Sequence, residues 1–581
     1  MTASLIESAR AWRDQDPDDA TRAELTALID AASTAGAETA ATATRDAALA
    51  DLHSRFTARL AFGTAGLRGE LGAGPNRMNR VLVAQAAAGF AAFLLEREPN
   101  PSIVIGYDGR TNSAIFASDT AEVMAGAGVR AILLPRMLPT PVLAFAVRHF
   151  EVSAGVMVTA SHNPGTDNGY KVYLGGVEHG SQIVTPTDSV IADAIDLAAT
   201  GSVLNLPRST AYETAAEEVV DEYVRLTAAV ATKPTAQVAV VYTAMHGVGW
   251  ETARRVFADA GFDEPAIVPE QSEPDAAFPT VLFPNPEEPG ALDLAIARAV
   301  ELGAELVIAN DPDADRLAIA IPVATAGAAD RATDGGADAP IRSAAWRRLS
   351  GNEVGVILGW RAALRIRAAD SPGTLAASIV SSPALRVIAR NYRLDYVDTL
   401  TGFKWISRVG GLAYGFEEAL GYLVDPTKVR DKDGISAAID FLSLVSELKA
   451  AGKTLDDHAN DFAEKFGAFA SSQISLRVTE LSDIPRIMAQ LRDTPPAKIG
   501  KTRVESIDDF IEGFGPFPPS DILRVWLEGG ARIVVRPSGT EPKLKVYIDA
   551  SNDEGTGPER RAAAEAVVAS LDAGMRVLIG G

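Results

Sequence analysis

The stretch TASHNPGTDNGYK, residues 159–171, follows the apolar run GVMV at 155–158. A short apolar run bounded by glycine and polar residues reads as a buried strand. The chain then breaks at Asn163-Pro164-Gly165, so Ser161 sits where the strand ends. In open α/β sheets, ligands bind at the carboxyl ends of strands. Further along, Lys171 can fold back with a cation or a base, and a hydroxyl beside a cation reads as a nucleophile that handles an anion. A capped turn is the alternative reading of the same residues.

Working outward, the same layout recurs. Three times a short apolar strand runs into a polar loop: GVMV into TASHNP, ELVIA into NDPDAD, and GLAYG into FEEALG. Strands are expected at 102–107, 131–134 and 156–158, with a helix at 114–127. A second round spans 238–321, and a third spans about 351–450, with strands near 378–380 and 412–414. Alternation of this kind predicts βαβ units. The last segment, with SQISLRV, ILRVWL, ARIVVR and KLKVYI beside two helices, reads as α+β. The expected fold class is therefore α/β: three related α/β domains with mixed sheets, plus a C-terminal α+β domain, around a central cleft. The expected segments are a helical N-terminal arm (1–55), domains at 56–207, 208–323 and 324–455, and a final domain at 456–581. Residues 324–340 (ATAGAADRATDGGADAP) read as a flexible surface insertion. The arm is Ala-rich and starts a helix at Asp16-Pro17-Asp18-Asp19; it reads as an appendage unable to build a core.

Composition narrows the chemistry. The chain has 581 residues, which is enough for several domains, and 47% apolar residues, which suits large cores. It has no cysteine, so disulfides, thiolate catalysis and Cys-ligated metals are excluded. A net charge of −22 argues against nucleic acid as a partner, and an anionic small molecule then requires local Arg and Lys clusters. The longest apolar stretch, 81–95, is too short to span a bilayer and reads as a core helix, so no membrane partner is expected. The N-terminus lacks a signal-peptide layout, and a cytoplasmic location is expected.

Asp311, Asp313 and Asp315 lie at i, i+2 and i+4 in a loop after a strand, where their carboxylates can converge on one hard cation. An EF-hand needs Gly where Arg316 stands and Glu where Pro322 stands, so that reading fails. An Asp-nucleophile phosphatase and a solvated acidic turn are the other readings. Glu417 and Glu418 can accept hydrogen bonds from sugar hydroxyls, act as an acid/base pair, or cap a helix. Arg536, Ser538, Gly539, Thr540 and Lys543 form a phosphate cradle or a plain hairpin turn. Residues 62–69 (FGTAGLRG) are glycine-rich with one Arg, Arg68, and lack the Lys-Ser/Thr of a Walker loop. Lys404 in TGFKW and His246 in TAMHGVG are polar residues beside glycines; His246 is structural or catalytic.

From about residue 60 onward, TASHNP with its trailing NGYK, DPDADR and RPSGTEPK together resemble the α-D-phosphohexomutase superfamily of phosphoglucomutases and phosphomannomutases. FPNPEEPGAL and TGFKWI resemble the branch related to phosphopentomutases. The resemblance implies a phosphosugar mutase that interconverts hexose 1-phosphate and hexose 6-phosphate. It implies that Ser161 is the phosphoserine, and that Asp311, Asp313 and Asp315 with the serine hold Mg2+. Arg68, His162 and Lys171 join the catalytic group, with Lys171 an acid/base candidate. Arg316, Lys404, Glu417 and Glu418 meet the sugar phosphate, while Arg536, Ser538, Gly539, Thr540 and Lys543 grip the non-reacting phosphate. A sugar bisphosphate is the implied intermediate and activator, and a monomer or homodimer the expected assembly. Ala419 stands where the family's sugar loop usually has Ser, which bears on sugar preference. The alternatives are a phosphopentomutase, an Asp-nucleophile sugar phosphatase and a catalytically silent sugar-phosphate sensor.

Overall fold

The computed structural model describes residues 2–34, 39–323, 345–478, 480, 482–538 and 543–580. The expected insertion at 324–340, and Gly539 and Thr540, lie outside the described residues. The chain divides into two compact units, residues 1–349 with 421–440, and residues 350–420 with 441–581.

The first unit holds two mixed sheets. In one, the strand order is Leu67–Glu70, Asp167–Leu174, Ala154–Val158, Ser102–Tyr107, Arg130–Leu133, Glu213–Thr214. Ala154–Val158 is buried along its whole length and runs parallel to Ser102–Tyr107 and antiparallel to Asp167–Leu174. Such a strand needs the unbroken apolar pattern of AGVMV, because both faces are covered. The antiparallel register places Lys171 opposite Met157, so the hairpin brings the lysine back beside the end of the serine strand. The helix Arg80–Arg97 is the core helix expected from the apolar run, started by Asn79, whose side chain accepts from the Leu82 N–H. In the other sheet, Val240–Thr243 and Leu306–Asn310 run parallel, and Leu317–Pro322 returns antiparallel, so the acidic loop is the turn between paired strands.

The N-terminal helices differ from the expected appendage. Leu25, Ile29, Ala32, Ala48 and Leu52 are buried in the same core as Phe90 and Phe116. Asp18 caps the helix Asp19–Ser33, its side chain accepting from the Ala20 N–H, so Pro17 precedes the cap and does not stand in the first turn. Glu24 accepts from the Ala73 N–H at 2.9 Å and pairs with Arg55 at 2.7 Å, which ties the arm to the loop after Arg68. Ala-rich helices build no core alone, yet a few leucines and isoleucines on one face suffice to extend a neighbour's.

Residues 421–440 are part of the first unit. Tyr173 donates to Asp431 at 3.0 Å and Tyr223 to Asp433 at 2.9 Å, while Lys428 pairs with Asp433 at 2.9 Å. These buried charges are compensated within the cluster, which is the condition for keeping them out of water.

In the second unit, Asp395–Thr399, Thr374–Ser378 and Leu412–Glu417 form parallel neighbours. The strand expected at 378–380 ends at Ser378 instead. Its residues, TLAAS, are small and mostly not β-branched, so the sequence pattern points too far along, to Ile379 and Val380. Those two residues pack with Phe510, Ile522, Val534 and Tyr547 of the C-terminal domain. That domain is an antiparallel sheet, ordered Ala468–Arg477, Lys543–Asn552, Arg532–Pro537, Leu523–Leu527, Thr502–Asp509, Lys498–Ile499, with the helices Asp483–Asp493 and Gly557–Ile579. Among the described residues, no helix is long and apolar enough to cross a membrane.

Candidate active site

Ser161 stands just beyond its strand with φ +53°, in the left-handed region that non-glycine residues seldom occupy. Its N–H donates to Thr159 Oγ1 at 2.9 Å, and Thr159 Oγ1 donates to Asp108 Oδ2 at 2.6 Å. The Ser161 hydroxyl donates to Asp311 Oδ2 at 2.9 Å and lies 3.1 Å from His162 Nδ1. Burial, then the Arg316 and Arg68 charges, push the His162 ring well below its usual range, which keeps its lone pair at neutral pH.

The acidic loop is shaped by its backbone. Ala314, at φ +55°, donates its N–H to the Asp311 carbonyl at 2.8 Å, and the Arg316 N–H donates to Asp311 Oδ1 at 3.0 Å. Two neighbours brace it: Val248 donates its N–H to the Pro312 carbonyl, and Thr140 donates from its N–H to the Asp313 carbonyl and from Oγ1 to Asp313 Oδ2 at 2.6 Å. Asp311, Asp313 and Asp315 are all buried, and each offers an oxygen within 4.8 Å of the others'. Lys171 Nζ meets Asp313 at 2.7 Å and Asp315 at 3.2 Å, and Lys432 Nζ meets Asp315 at 3.2 Å. Burial works against the Lys171 ammonium, but Asp313 and Asp315 outweigh it and raise its pKa. Burial, Asp313 and Asp315 push Asp311 well up, whereas Lys171 overcomes burial and holds Asp313 down. Asp313 Oδ1 and Asp315 Oδ1 are buried without a hydrogen-bond partner. Unpartnered carboxylate oxygens beside a third carboxylate are the donor set of a hard divalent cation, so the residues fit a metal ion.

Arg68 donates to Asn163 Oδ1 at 3.0 Å, which places it on the serine loop. Lys432 was not expected: in RDKDG a loop lysine reads as solvated, and only its flanking carboxylates hint at burial. Thr140 was missed as well, since its partner Asp313 is distant in sequence.

In the second unit, Glu418 Oε2 accepts from Ser378 Oγ at 3.1 Å and Ser381 Oγ at 3.0 Å, so its carboxylate is held within the loop's own support. Glu417 is half-buried at the end of its strand. Lys404 lies on the one-turn helix Phe403–Ile406, after Gly402 at φ +108°. Arg536 donates to Thr401 Oγ1, which brings the expected phosphate strand against the TGFKW loop. The Ser538 N–H donates to the Lys543 carbonyl at 2.8 Å.

Family models for phosphoglucomutase/phosphomannomutase match four segments. α/β/α domain I matches residues 59–200, domain II 220–323 and domain III 350–466, and the C-terminal domain matches 474–566. The chain is 54% identical, over 86% of its length and 98% of the relative's, to a Haemophilus influenzae protein named "Probable phosphomannomutase". It is 34% identical to the phosphoribomutase of Saccharomyces cerevisiae, over 87% of this chain and 88% of that one. A phosphoglucomutase/phosphomannomutase family protein from Burkholderia thailandensis shares the fold with a TM-score of 0.65 at 18% identity, over 90% of this chain and 98% of that one. With all four domains matched in order, the chain belongs to the phosphoglucomutase/phosphomannomutase family.

Proposed function

We propose that the protein interconverts the 1-phosphate and 6-phosphate of a hexose, glucose or mannose, with Ser161 carrying the phosphoryl group. The observation that carries this reading is the Ser161 hydroxyl, 2.9 Å from Asp311 in a site lined by Asp313, Asp315 and Lys171. In the first half-reaction the bond from phosphorus to Ser161 Oγ breaks and one to the free sugar hydroxyl forms; the hydroxyl loses its proton and Ser161 Oγ gains one, giving a sugar bisphosphate. The sugar turns over, and its other phosphate passes to Ser161 while the serine proton leaves. His162 Nδ1, 3.1 Å away and held neutral, is in reach to take that proton. Lys171, with Arg68 beside the serine loop, offsets charge on the transferring group; held as the ammonium by Asp313 and Asp315, it is the candidate for giving a proton to the sugar oxygen as the second phosphate leaves. Asp311, Asp313 and Asp315 would hold Mg2+, which when bound supplies further stabilisation of negative charge on the phosphoryl oxygens.

Arg316 belongs to the substrate contacts of this reading. Glu417 and Lys404 would meet the sugar phosphate, with Glu418 bracing the loop from beneath, and Arg536, Ser538, Gly539, Thr540 and Lys543 would grip the idle phosphate. The sugar bisphosphate is both intermediate and activator. A second reading, a phosphopentomutase, is favoured by Ala419, which offers no hydroxyl to a hexose. Turnover of a panel of glucose, mannose and ribose 1-phosphates separates the two.

The test is Ser161→Ala with a hexose 1,6-bisphosphate supplied. The reading expects interconversion to fall by about 1,000-fold or more, as for loss of a covalent nucleophile. Undiminished turnover would overturn it.

A further inference from the structure

A serine held at positive φ needs something to hold it, and the side chain of Arg110 is wound into the loop that carries it. Arg110 Nη2 donates to the carbonyls of Ser161 at 2.7 Å and Asn163 at 2.6 Å. Its Nη1 donates to the carbonyls of Pro164 at 2.8 Å and Asp167 at 3.1 Å. The side chain is 1% exposed, and its charge faces Asp108 at 3.5 Å. Asp108 also takes the Thr159 hydroxyl, which in turn receives the Ser161 N–H. One buried carboxylate therefore anchors both sides of the serine's backbone: the N–H through Thr159 and the carbonyl through Arg110.

The guanidinium has a lid from the other matched domain. Phe278 lies with its ring 4.8 Å from the Arg110 carbon, itself at φ +47° and 4% exposed. Its loop is pinned to the second sheet: Asp275 donates its N–H to the His246 carbonyl, and Phe278 donates its N–H to the Asp275 carbonyl. The two loops also touch at Gly165, where an added Cβ would come within 2.6 Å of the Ala276 carbonyl oxygen. A planar fork that satisfies four carbonyls and stacks under a ring is a role lysine cannot fill.

We propose that Arg110, capped by Phe278, is a positioning residue that sets the aim of Ser161 Oγ for phosphoryl transfer. It touches no reacting atom. It acts through the serine's carbonyl, and Phe278 makes the aim depend on the seating of the second domain's loop. The inference rests on Ser161 being the phosphoryl carrier.

Phe278→Leu and Arg110→Lys test it in the full chain. The phosphate on Ser161 after exposure to glucose 1,6-bisphosphate, read by intact mass, counts working sites, and kcat is expressed per phosphorylated site. The expectation is that kcat per site falls about 10-fold in Phe278→Leu and about 100-fold in Arg110→Lys, as for a small misplacement of a reacting group, with KM for glucose 1-phosphate unchanged. If Arg110→Lys does not fold, Phe278→Leu carries the test alone. A lower melting point with kcat per site at the wild-type value would show simple bracing and overturn the proposal, as would an effect confined to KM. Absence of phosphate on wild-type Ser161 would overturn the carrier reading, and this inference with it. Normal wild-type phosphorylation with unaffected variants would overturn this inference alone.

Discussion

Lys171 Nζ lies 2.7 Å from Asp313 Oδ2, in an ion pair whose side chains are 8% and 0% exposed. With Lys432 on Asp315 and Arg316 nearby, it supplies the counter-charge that lets three carboxylates share one dry loop. Breaking a buried pair strands the remaining charge and costs about 3–5 kcal/mol. Lys171→Gln therefore lowers thermal stability most when a chelator is present, and added Mg2+ recovers much of the loss. Melting curves with EDTA and with Mg2+ check this; equal losses in both would contradict it.

Gly247 packs its backbone against the acidic loop. A Cβ there would lie 2.2 Å from both Pro312 Cα and the Pro312 carbonyl oxygen, a distance neither backbone can yield without moving. Gly247→Ala shifts Asp311 and Asp313, which flank Pro312. The Mg2+ concentration for half-maximal activity is expected to rise about 10-fold, equivalent to some 1.4 kcal/mol of lost metal affinity. A metal titration of activity reads it.

Ser381 supports the Glu417–Glu418 loop: its hydroxyl donates to Glu418 Oε2 at 3.0 Å and accepts from the Glu418 N–H at 3.1 Å. Ser381→Ala removes both contacts. Losing about 1 kcal/mol of hydrogen bonding predicts a roughly fivefold rise in KM for the sugar phosphate, with a smaller change in kcat. Steady-state kinetics on glucose 1-phosphate distinguish the two effects.

His458 stacks on Trp360 at 4.7 Å, and burial pushes its ring from 6.5 to about 4. Above pH 6.5 the ring is neutral both folded and unfolded. Between 6.5 and about 4 only the unfolded chain binds the proton, so stability is lost as pH falls through that window. His458→Phe keeps a ring on Trp360 and removes this term. The wild type should lose on the order of 1–2 kcal/mol more than the variant between pH 7 and pH 5. Parallel pH dependence of the two melting points would contradict it.

The parts of the fold and site legible in sequence are those written locally. The run before Ser161 is apolar on both faces and has one structural solution, and the structure has Ala154–Val158 there. Asp311, Asp313 and Asp315 were found because alternate acids after a strand have few uses, and the structure gathers them. Lys432, Thr140 and Arg110 left no local mark. Each acts on a partner more than fifty positions away or across a crossover, and nothing in the neighbouring letters shows which face will be dry. The N-terminal arm misled for a related reason: Leu25 and Leu52 are sparse among alanines, and they become core only by joining one cluster with residues distant in sequence, Phe90 and Phe116 among them. Ser378 ended a strand that the sequence pattern moved onward, because Ile379 and Val380 are bulky for packing against the C-terminal domain and not for the sheet.

The central claim is that Ser161 hands its phosphate to a sugar and takes one back. Protein carrying a radiolabelled phosphate on Ser161, mixed with unlabelled glucose 6-phosphate, tests it most directly. The account predicts that the label leaves the serine within a turnover and appears in glucose bisphosphate, then in the monophosphates. Label that stays on the protein, or that leaves only as inorganic phosphate, would contradict it.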